Sequence, residues 1–164
     1  MPILIRAATN SDIPYIHQIA HEVWPKAYAD VITAEQIAYM LDWMYSPSSL
    51  RDQMEAGAHF LLLEEDSTPL GFASFRCLQD TNWKLDKLYV QSDRQKNGLG
   101  KRLIERVRAE IKERGGTQLE LQVNRNNKAI GFYQKLGFDI LRVDDFDIGN
   151  GFYMNDYIMG CQID

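Results

Sequence analysis

One stretch constrains this chain more than any other. An apolar, strand-like run (Leu85, Leu88, Tyr89, Val90) gives way to a polar turn and then, at Gly98 and Gly100, to a helix pattern. Leu99, Leu103, Ile104, Val107 and Ile111 recur at helical spacing. Strand, glycine turn and helix start together make an anion site. The first N–H groups of a helix have no partner within it, and the macrodipole adds partial positive charge there. Glycines let the backbone curl and approach an anion closely. Arg94, Lys96, Lys101 and Arg102 add formal charge. A phosphorylated ligand is the expected occupant.

The spacing removes two familiar phosphate sites. A P-loop needs Ser or Thr after its Lys, but Arg102 follows Lys101, and no glycine precedes Gly100 by five residues. A dinucleotide fingerprint needs a third small residue, and Leu103 stands there. What remains is Gln95-x-x-Gly98-x-Gly100. Downstream, Thr117–Val123 alternates apolar and polar residues like a half-buried strand. Then comes Asn126-Asn127-Lys128-Ala129-Ile130-Gly131-Phe132-Tyr133-Gln134-Lys135-Leu136-Gly137-Phe138, which reads as a short helix capped by an Asn and stopped by Gly137.

The two segments, in this order and one strand apart, resemble the signatures of the GNAT N-acetyltransferase superfamily. These are the acyl-CoA pyrophosphate loop Arg/Gln-x-x-Gly-x-Gly/Ala and the pattern Asn-x-x-Ala-x-x-Phe-Tyr-x-Lys-x-Gly-Phe. The resemblance is specific over Trp83–Phe138 and architectural elsewhere. It implies acetyl-CoA as co-substrate and a primary amine as acceptor, with direct attack in a ternary complex. Cofactor contacts carry over to Gln95, Lys96, Asn97, Gly98, Leu99, Gly100 and Lys101. Asn126, Lys128 and Tyr133 match a second set. In the family, the strand before the loop splays from its neighbour, and the pantetheine arm pairs with its exposed backbone. Here that backbone belongs to Leu88, Tyr89 and Val90, and a free N–H among them would also polarise the thioester carbonyl. Tyr133 matches the general acid that protonates the departing thiolate. An ordinary phenol, with a pKa of ~10, carries its proton at neutral pH. Asp86, two residues before Leu88 and so expected on its face, is the candidate general base. Glu120 is a weaker candidate, and ordered water an alternative to both.

The rest of the chain frames these motifs. Ile3–Ala7 reads as a strand. The cluster Thr9-Asn10-Ser11-Asp12 opens a helix with Ile13, Ile16, Ala20, Val23 and Ala27 inward. Thr33-Ala34-Glu35-Gln36 is a capping box for a second helix, and Ser46-Pro47 starts a third. Strands follow at Phe60–Glu65, Leu70–Leu78 and Trp83–Val90, the first two joined by a turn over Asp66-Ser67-Thr68-Pro69. Two last strands flank Asn150-Gly151, a hairpin signal. The expected fold is mixed α/β (α+β), a mostly antiparallel, splayed sheet with helices on both faces, formed by residues 1–164 as one domain. That order is similar to the GNAT fold.

Composition limits partners and setting. With 164 residues, 45% of them hydrophobic, the chain can build a full core. Its net charge of −5 disfavours nucleic acid. No apolar run is long enough for a membrane span, and no signal peptide is visible. Cys77 and Cys161 are expected as buried free thiols, pointing to a reducing, cytoplasmic setting. His17 and His21 have ligand-like spacing, but Gln18 replaces the Glu of a zinc helix, so no metal is expected.

For the acceptor, the family resemblance implies a site enclosed by the first helices and last strands. Trp24 and Tyr28 are the expected contacts, with Tyr39, Trp43 and Tyr45 following. Aromatic walls suit a cationic amine. Asp144, Asp145, Asp147 and Asp156 can supply negative charge near the last hairpin. The acceptor is expected to be a small amine, polyamine or amino metabolite. Alternatives are a protein N-terminus or lysine, as in ribosomal-protein acetylation, or no acceptor at all in a CoA-binding sensor. A homodimer is compatible with the resemblance.

Overall fold

The computed structural model describes residues 2–91 and 98–164. Among them, seven strands form one sheet: β1 (Ile3–Ala7), β2 (His59–Glu65), β3 (Thr68–Gln79), β4 (Asn82–Val90), β5 (Gln118–Asn124), β6 (Asp139–Gly149) and β7 (Phe152–Gln162). Their spatial order is β1-β2-β3-β4-β5-β7-β6, antiparallel except for the parallel β4–β5 pair. The helices are α1 (Ile13–Ala27), α2 (Ala34–Tyr45), α3 (Pro47–Glu55), α4 (Leu99–Glu113) and α5 (Ala129–Lys135). This is the mixed, splayed architecture expected from the sequence.

The sheet has a core on each face. α4 lays Leu103, Ile104, Val107 and Ile111 against Leu61, Leu63, Phe75, Leu85 and Leu121. Each such burial contributes about 1.5–3 kcal/mol. The opposite core joins α1, α2 and α3 to Phe60, Leu62 and Phe72. α1 buries Ile19 and Trp24 alongside Ile13, Ile16, Ala20 and Val23, whereas Ala27 is exposed. Trp24 closes this core because α2 and Tyr45 pack over it.

Local signals set the ends of most elements. The Thr33 hydroxyl accepts the Gln36 N–H at 3.1 Å, but the Gln36 side chain donates to the Tyr153 carbonyl at 2.8 Å instead of closing a capping box. Asn150 and Gly151 both take positive φ, 54° and 80°, as a two-residue hairpin demands. The β2–β3 turn is tighter than expected, only Asp66 and Ser67, and Pro69 pairs with Glu64 inside the strands. The register shifts at that point, so a bulge absorbs the missing proline N–H. Cys77 is exposed, contrary to expectation, because the last residues of β3 run out past the core; Cys161 is half-buried.

Two departures from a regular sheet create the site. β4 and β5 pair only from Asn82↔Gln118 to Leu85↔Leu121. Beyond that, β4 follows β3 as far as Gly71↔Val90, and β5 follows β7 as far as Asn124↔Asp156, so a gap opens between them. The second is a bulge. Phe75 pairs with Leu85 and Ser74 with Lys87, leaving Asp86 without an opposite residue. The bulge resets the side-chain alternation. Leu85 and Leu88 both face the α4 core, while Tyr89 faces the α1–α2 core. Asp86 therefore does not share the face of Leu88, as strict alternation implied.

Candidate active site

Gly98 and Gly100 stand at the start of α4. Gly98 caps α4 with φ of 73°, a left-handed conformation that glycine adopts without strain. The first ladder bond of α4 runs from the Arg102 N–H to the Gly98 carbonyl at 3.1 Å. The N–H groups of Leu99, Gly100 and Lys101 therefore precede the ladder, at the positive end of the dipole. Gly100 serves another purpose: a Cβ there would lie 3.3 Å from the Phe132 ring. The two sequence motifs thus touch. Lys101 is exposed, 4.0 Å from Glu105. Gln95, Lys96 and Asn97 lie outside the described residues.

The free edge of β4 borders the gap. Gln91 donates its N–H to the Leu70 carbonyl at 2.8 Å, which fixes the phase of the β3–β4 ladder. Antiparallel bonding alternates, so Tyr89 and Lys87 turn their backbone groups toward β3 and Leu88 turns its own toward the gap. Across the gap, α5 begins where the Asn127 carboxamide accepts the Ala129 N–H at 2.8 Å. Gly137, at φ of 93°, ends this segment. Asn126 and Lys128 are exposed beside it. Tyr133 packs edge-on against Phe132 and Phe138, with ring centroids at 5.2 and 5.7 Å. Burial, with a contribution from the Tyr28 phenol, pushes the Tyr133 phenol above its ordinary range, so it holds its proton at neutral pH.

A cavity of about 430 Å³ lies on the α1–α2 side of the gap. Trp24 and Tyr28 line it, with rings 4.4 Å apart. The Tyr28 and Tyr89 hydroxyls are 2.9 Å apart. Tyr89, expected to serve through its backbone, thus also contributes a wall. Trp43 and Tyr45 line the cavity too, whereas Tyr39 braces it by donating to the Ile148 carbonyl at 2.6 Å. That bond and the one from Gln36 to Tyr153 fasten α2 to the β6–β7 hairpin, which closes the cavity's far side.

The cavity's charged groups differ in how far they are already satisfied. Asp86 meets Arg76 at 2.8 Å and Lys84 at 3.7 Å. Lys84 also donates to the Gln122 carboxamide. Asp156 is 3% exposed and accepts a long 3.4 Å bond from Gln122. Burial pushes its carboxyl up to about 6, with Gln122, Lys84 and Arg125 pulling the other way. Of the four late aspartates, Asp147 and Asp156 line the cavity; Asp144 and Asp145 are exposed on β6, and Asp145 pairs with Arg125. Glu120 faces a different hollow, beyond the closed end of the gap, and pairs with Arg142 at 3.7 Å. His17 points Nδ1 at the Tyr45 carbonyl, 2.8 Å away, and His21 points Nδ1 at the His17 carbonyl, also at 2.8 Å.

Sequence reasoning missed Lys87. Within Trp83-Lys84-Leu85-Asp86-Lys87-Leu88, it reads as one of several solvent-facing charges. The bulge turns it inward instead, where it is 6% exposed, its Nζ 5.0 Å from the Tyr45 ring centre. Only the register shift could have revealed this.

The gap between β4 and β5 thus has the N-terminus of α4 and Tyr133 on one side and the aromatic cavity on the other. The family described as "Acetyltransferase (GNAT) domain" matches residues 28–157, and the chain belongs to it. It is an acyltransferase of the N-acetyltransferase type. A spermidine N(1)-acetyltransferase of Thermoplasma acidophilum is 29% identical over 160 residues, 94% of this chain and 96% of the relative. A probable N-acetyltransferase of Mycobacterium tuberculosis is 27% identical, over 84% of this chain and 80% of its own length. Among solved structures, the PaiA N-acetyltransferase of T. acidophilum in complex with coenzyme A superposes with a TM-score of 0.85 at 26% identity, covering 99% of each chain. The ribosomal-protein-S18-alanine N-acetyltransferase of Escherichia coli shares the fold, with a TM-score of 0.76 at 21% identity over 99% of this chain and 94% of its own. No helix among the described residues is long and apolar enough to cross a membrane.

Proposed function

We propose that the protein transfers the acetyl group of acetyl-CoA to the primary amine of a small molecule, by direct attack in a ternary complex. One observation carries this reading: the β4–β5 gap joins the α4 turn and Tyr133 on one side to the cavity on the other. Acetyl-CoA supplies an acetyl group as an activated thioester. The N–H groups of Leu99, Gly100 and Lys101 suit its pyrophosphate, and the outward backbone of Leu88 suits its pantetheine arm and thioester carbonyl. Gln95, Lys96, Asn97, Val90, Asn126 and Lys128 complete this set by resemblance.

Tyr133 donates the proton that the leaving sulfur needs, since its phenol remains neutral. The amine must lose a proton before it attacks. Asp86 is held by Arg76 and Lys84, which occupy its oxygens. Asp156 fits the task better: it is buried, lines the cavity and has its carboxyl pushed up to about 6. A carboxylate near that value is a stronger proton acceptor than an ordinary one and is still ionised at neutral pH. The cavity's volume, about 430 Å³, suits a small acceptor. Thiol release from acetyl-CoA across a panel of small amines and peptide N-termini, with mass detection of the N-acetyl product, tests the reading. Release only with peptides would replace the small molecule by a protein acceptor. A melting shift with CoA and no release with any amine would make the chain a CoA sensor.

A further inference from the structure

The acetylation of a small amine leaves one buried charge in the cavity unexplained. Lys87 is 6% exposed, lines the cavity, and makes no hydrogen bond or ion pair with any described residue. Its one specific contact is the Tyr45 ring, 5.0 Å from Nζ. Asp86, whose charge acts on Lys87, is committed to Arg76 and Lys84. Ser74, directly across the β3–β4 ladder from Lys87, is fully buried and its hydroxyl also lacks a partner among the described residues. Burying an ammonium without a counter-ion costs several kcal/mol, whereas Met would fill similar space at no such cost. An unpaired ammonium at the wall of a binding cavity is matched by an anion that arrives with the ligand.

The cavity holds a second unmatched group of opposite sign. Among the described residues, the side chain of Asp156, 3% exposed, has the long bond from Gln122, and it forms no ion pair with Lys87. The wall also carries apolar residues: Ile32, Met40, Met44, Ile148 and Met154. A polyamine would meet Asp156 favourably but would bring further positive charge toward Lys87. A molecule with an amine at one point, a carboxylate at another and an apolar body satisfies every part.

Resting on the acetyl-transfer reading above, we propose that the acceptor is an amino carboxylate with an apolar side chain, whose carboxylate binds Lys87 and whose amine binds Asp156. The amine arrives as an ammonium and gives one proton to Asp156, and its nitrogen then forms the new N–C bond. The thioester C–S bond breaks, the thiolate takes a proton from Tyr133, and the second proton lost by nitrogen restores the phenol through solvent. Lys87 is a specificity residue that undergoes no chemical change.

The test compares matched pairs with thiol release as readout: leucine against 3-methylbutylamine and phenylalanine against phenethylamine, with spermidine alongside. For the wild-type protein, kcat/KM is expected to favour each amino acid over its decarboxylated partner by about 10-fold or more, the loss when a site's buried polar group goes unpaired. In Lys87→Met that ratio is expected to collapse toward unity, mainly through KM for the amino acid. Lys87→Gln serves as a second variant should the first fail to fold. A wild-type preference for spermidine or for the decarboxylated amines, or a ratio that both variants leave unchanged, would overturn the proposal while leaving small-amine acetylation standing. Thiol release with no member of the panel would overturn both.

Discussion

The two sides of the β4–β5 gap are built in different ways. The donor side is mostly backbone: the first turn of α4, the outward edge of β4 at Leu88, and α5 carrying Tyr133. Its parts are consecutive in sequence or one strand apart, and they meet where Gly100 admits the Phe132 ring. The proposed acceptor side draws its lining from scattered elements: α1, α2, β3, β4, β5, β6 and β7. A common cofactor can be held by backbone geometry, which few substitutions disturb. A particular acceptor must be read by side chains, which change freely on the same scaffold.

The largest effect is expected at Tyr133, the proposed proton donor. Tyr133→Phe is expected to lower kcat by about 100-fold or more while the Kd for CoA stays within about 3-fold, since only the proton donor is removed. Turnover in thiol release and calorimetry for CoA separate the two. Wild-type turnover would end the assignment and make the donor side purely a binding surface.

Next is Asp156 on the acceptor side. Its carboxyl, pushed up to about 6, must be ionised to take a proton, so kcat/KM should fall as pH drops through about 6. Asp156→Asn should lower kcat/KM by about 10- to 100-fold at pH 7 and remove this acid limb. Stability should move the other way. A raised carboxyl pKa means the native state holds more protons than the unfolded chain between the ordinary carboxylate range and about 6, so stability declines as pH rises across that window. In Asp156→Asn this slope should disappear from melting curves.

Lys87 gives a contrast between stability and function. Burial lowers its ammonium from 10.5 to about 8, so the native state binds fewer protons than the unfolded chain between those values, and stability rises with pH there. Lys87→Met should therefore raise Tm at pH 7 by about 3–6 °C, with the gain fading above pH 8. An unchanged or lower Tm would mean that Lys87 stabilises the fold and is not held for a ligand.

The smallest effect is expected at the brace. Tyr39→Phe removes the donor to the Ile148 carbonyl and should cost about 1 kcal/mol of stability, read as a Tm drop of about 2–4 °C. KM for the acceptor should rise by a few-fold while CoA affinity holds. An equal loss of CoA affinity would show that the two sides are not independent.

The legibility of the sequence follows the same divide. Gly98, the α4 stripe, Gly137 and the Asn150-Gly151 hairpin were readable because each depends on a few consecutive residues. Trp24 and Tyr28 stood out in the sequence as aromatics for an acceptor wall, and the fold makes Trp24 part of the core as well. The faces of Asp86 and Lys87 were not, because one extra residue in β4, visible only against β3, reverses the alternation. The capping-box reading of Gln36 failed for a similar reason, since its side chain found the Tyr153 carbonyl far along the chain.

By itself the sequence determined the local parts of the proposed donor side: helix starts, glycine conformations and the position of a phenol are set by short-range sterics and hydrogen bonding. Only the tertiary structure decided the acceptor side. There the outcome depends on where β4 and β5 part, on a bulge that turns an ammonium inward, and on which of four aspartates is buried. Those are properties of strand pairing and desolvation between distant residues, and no local pattern encodes them.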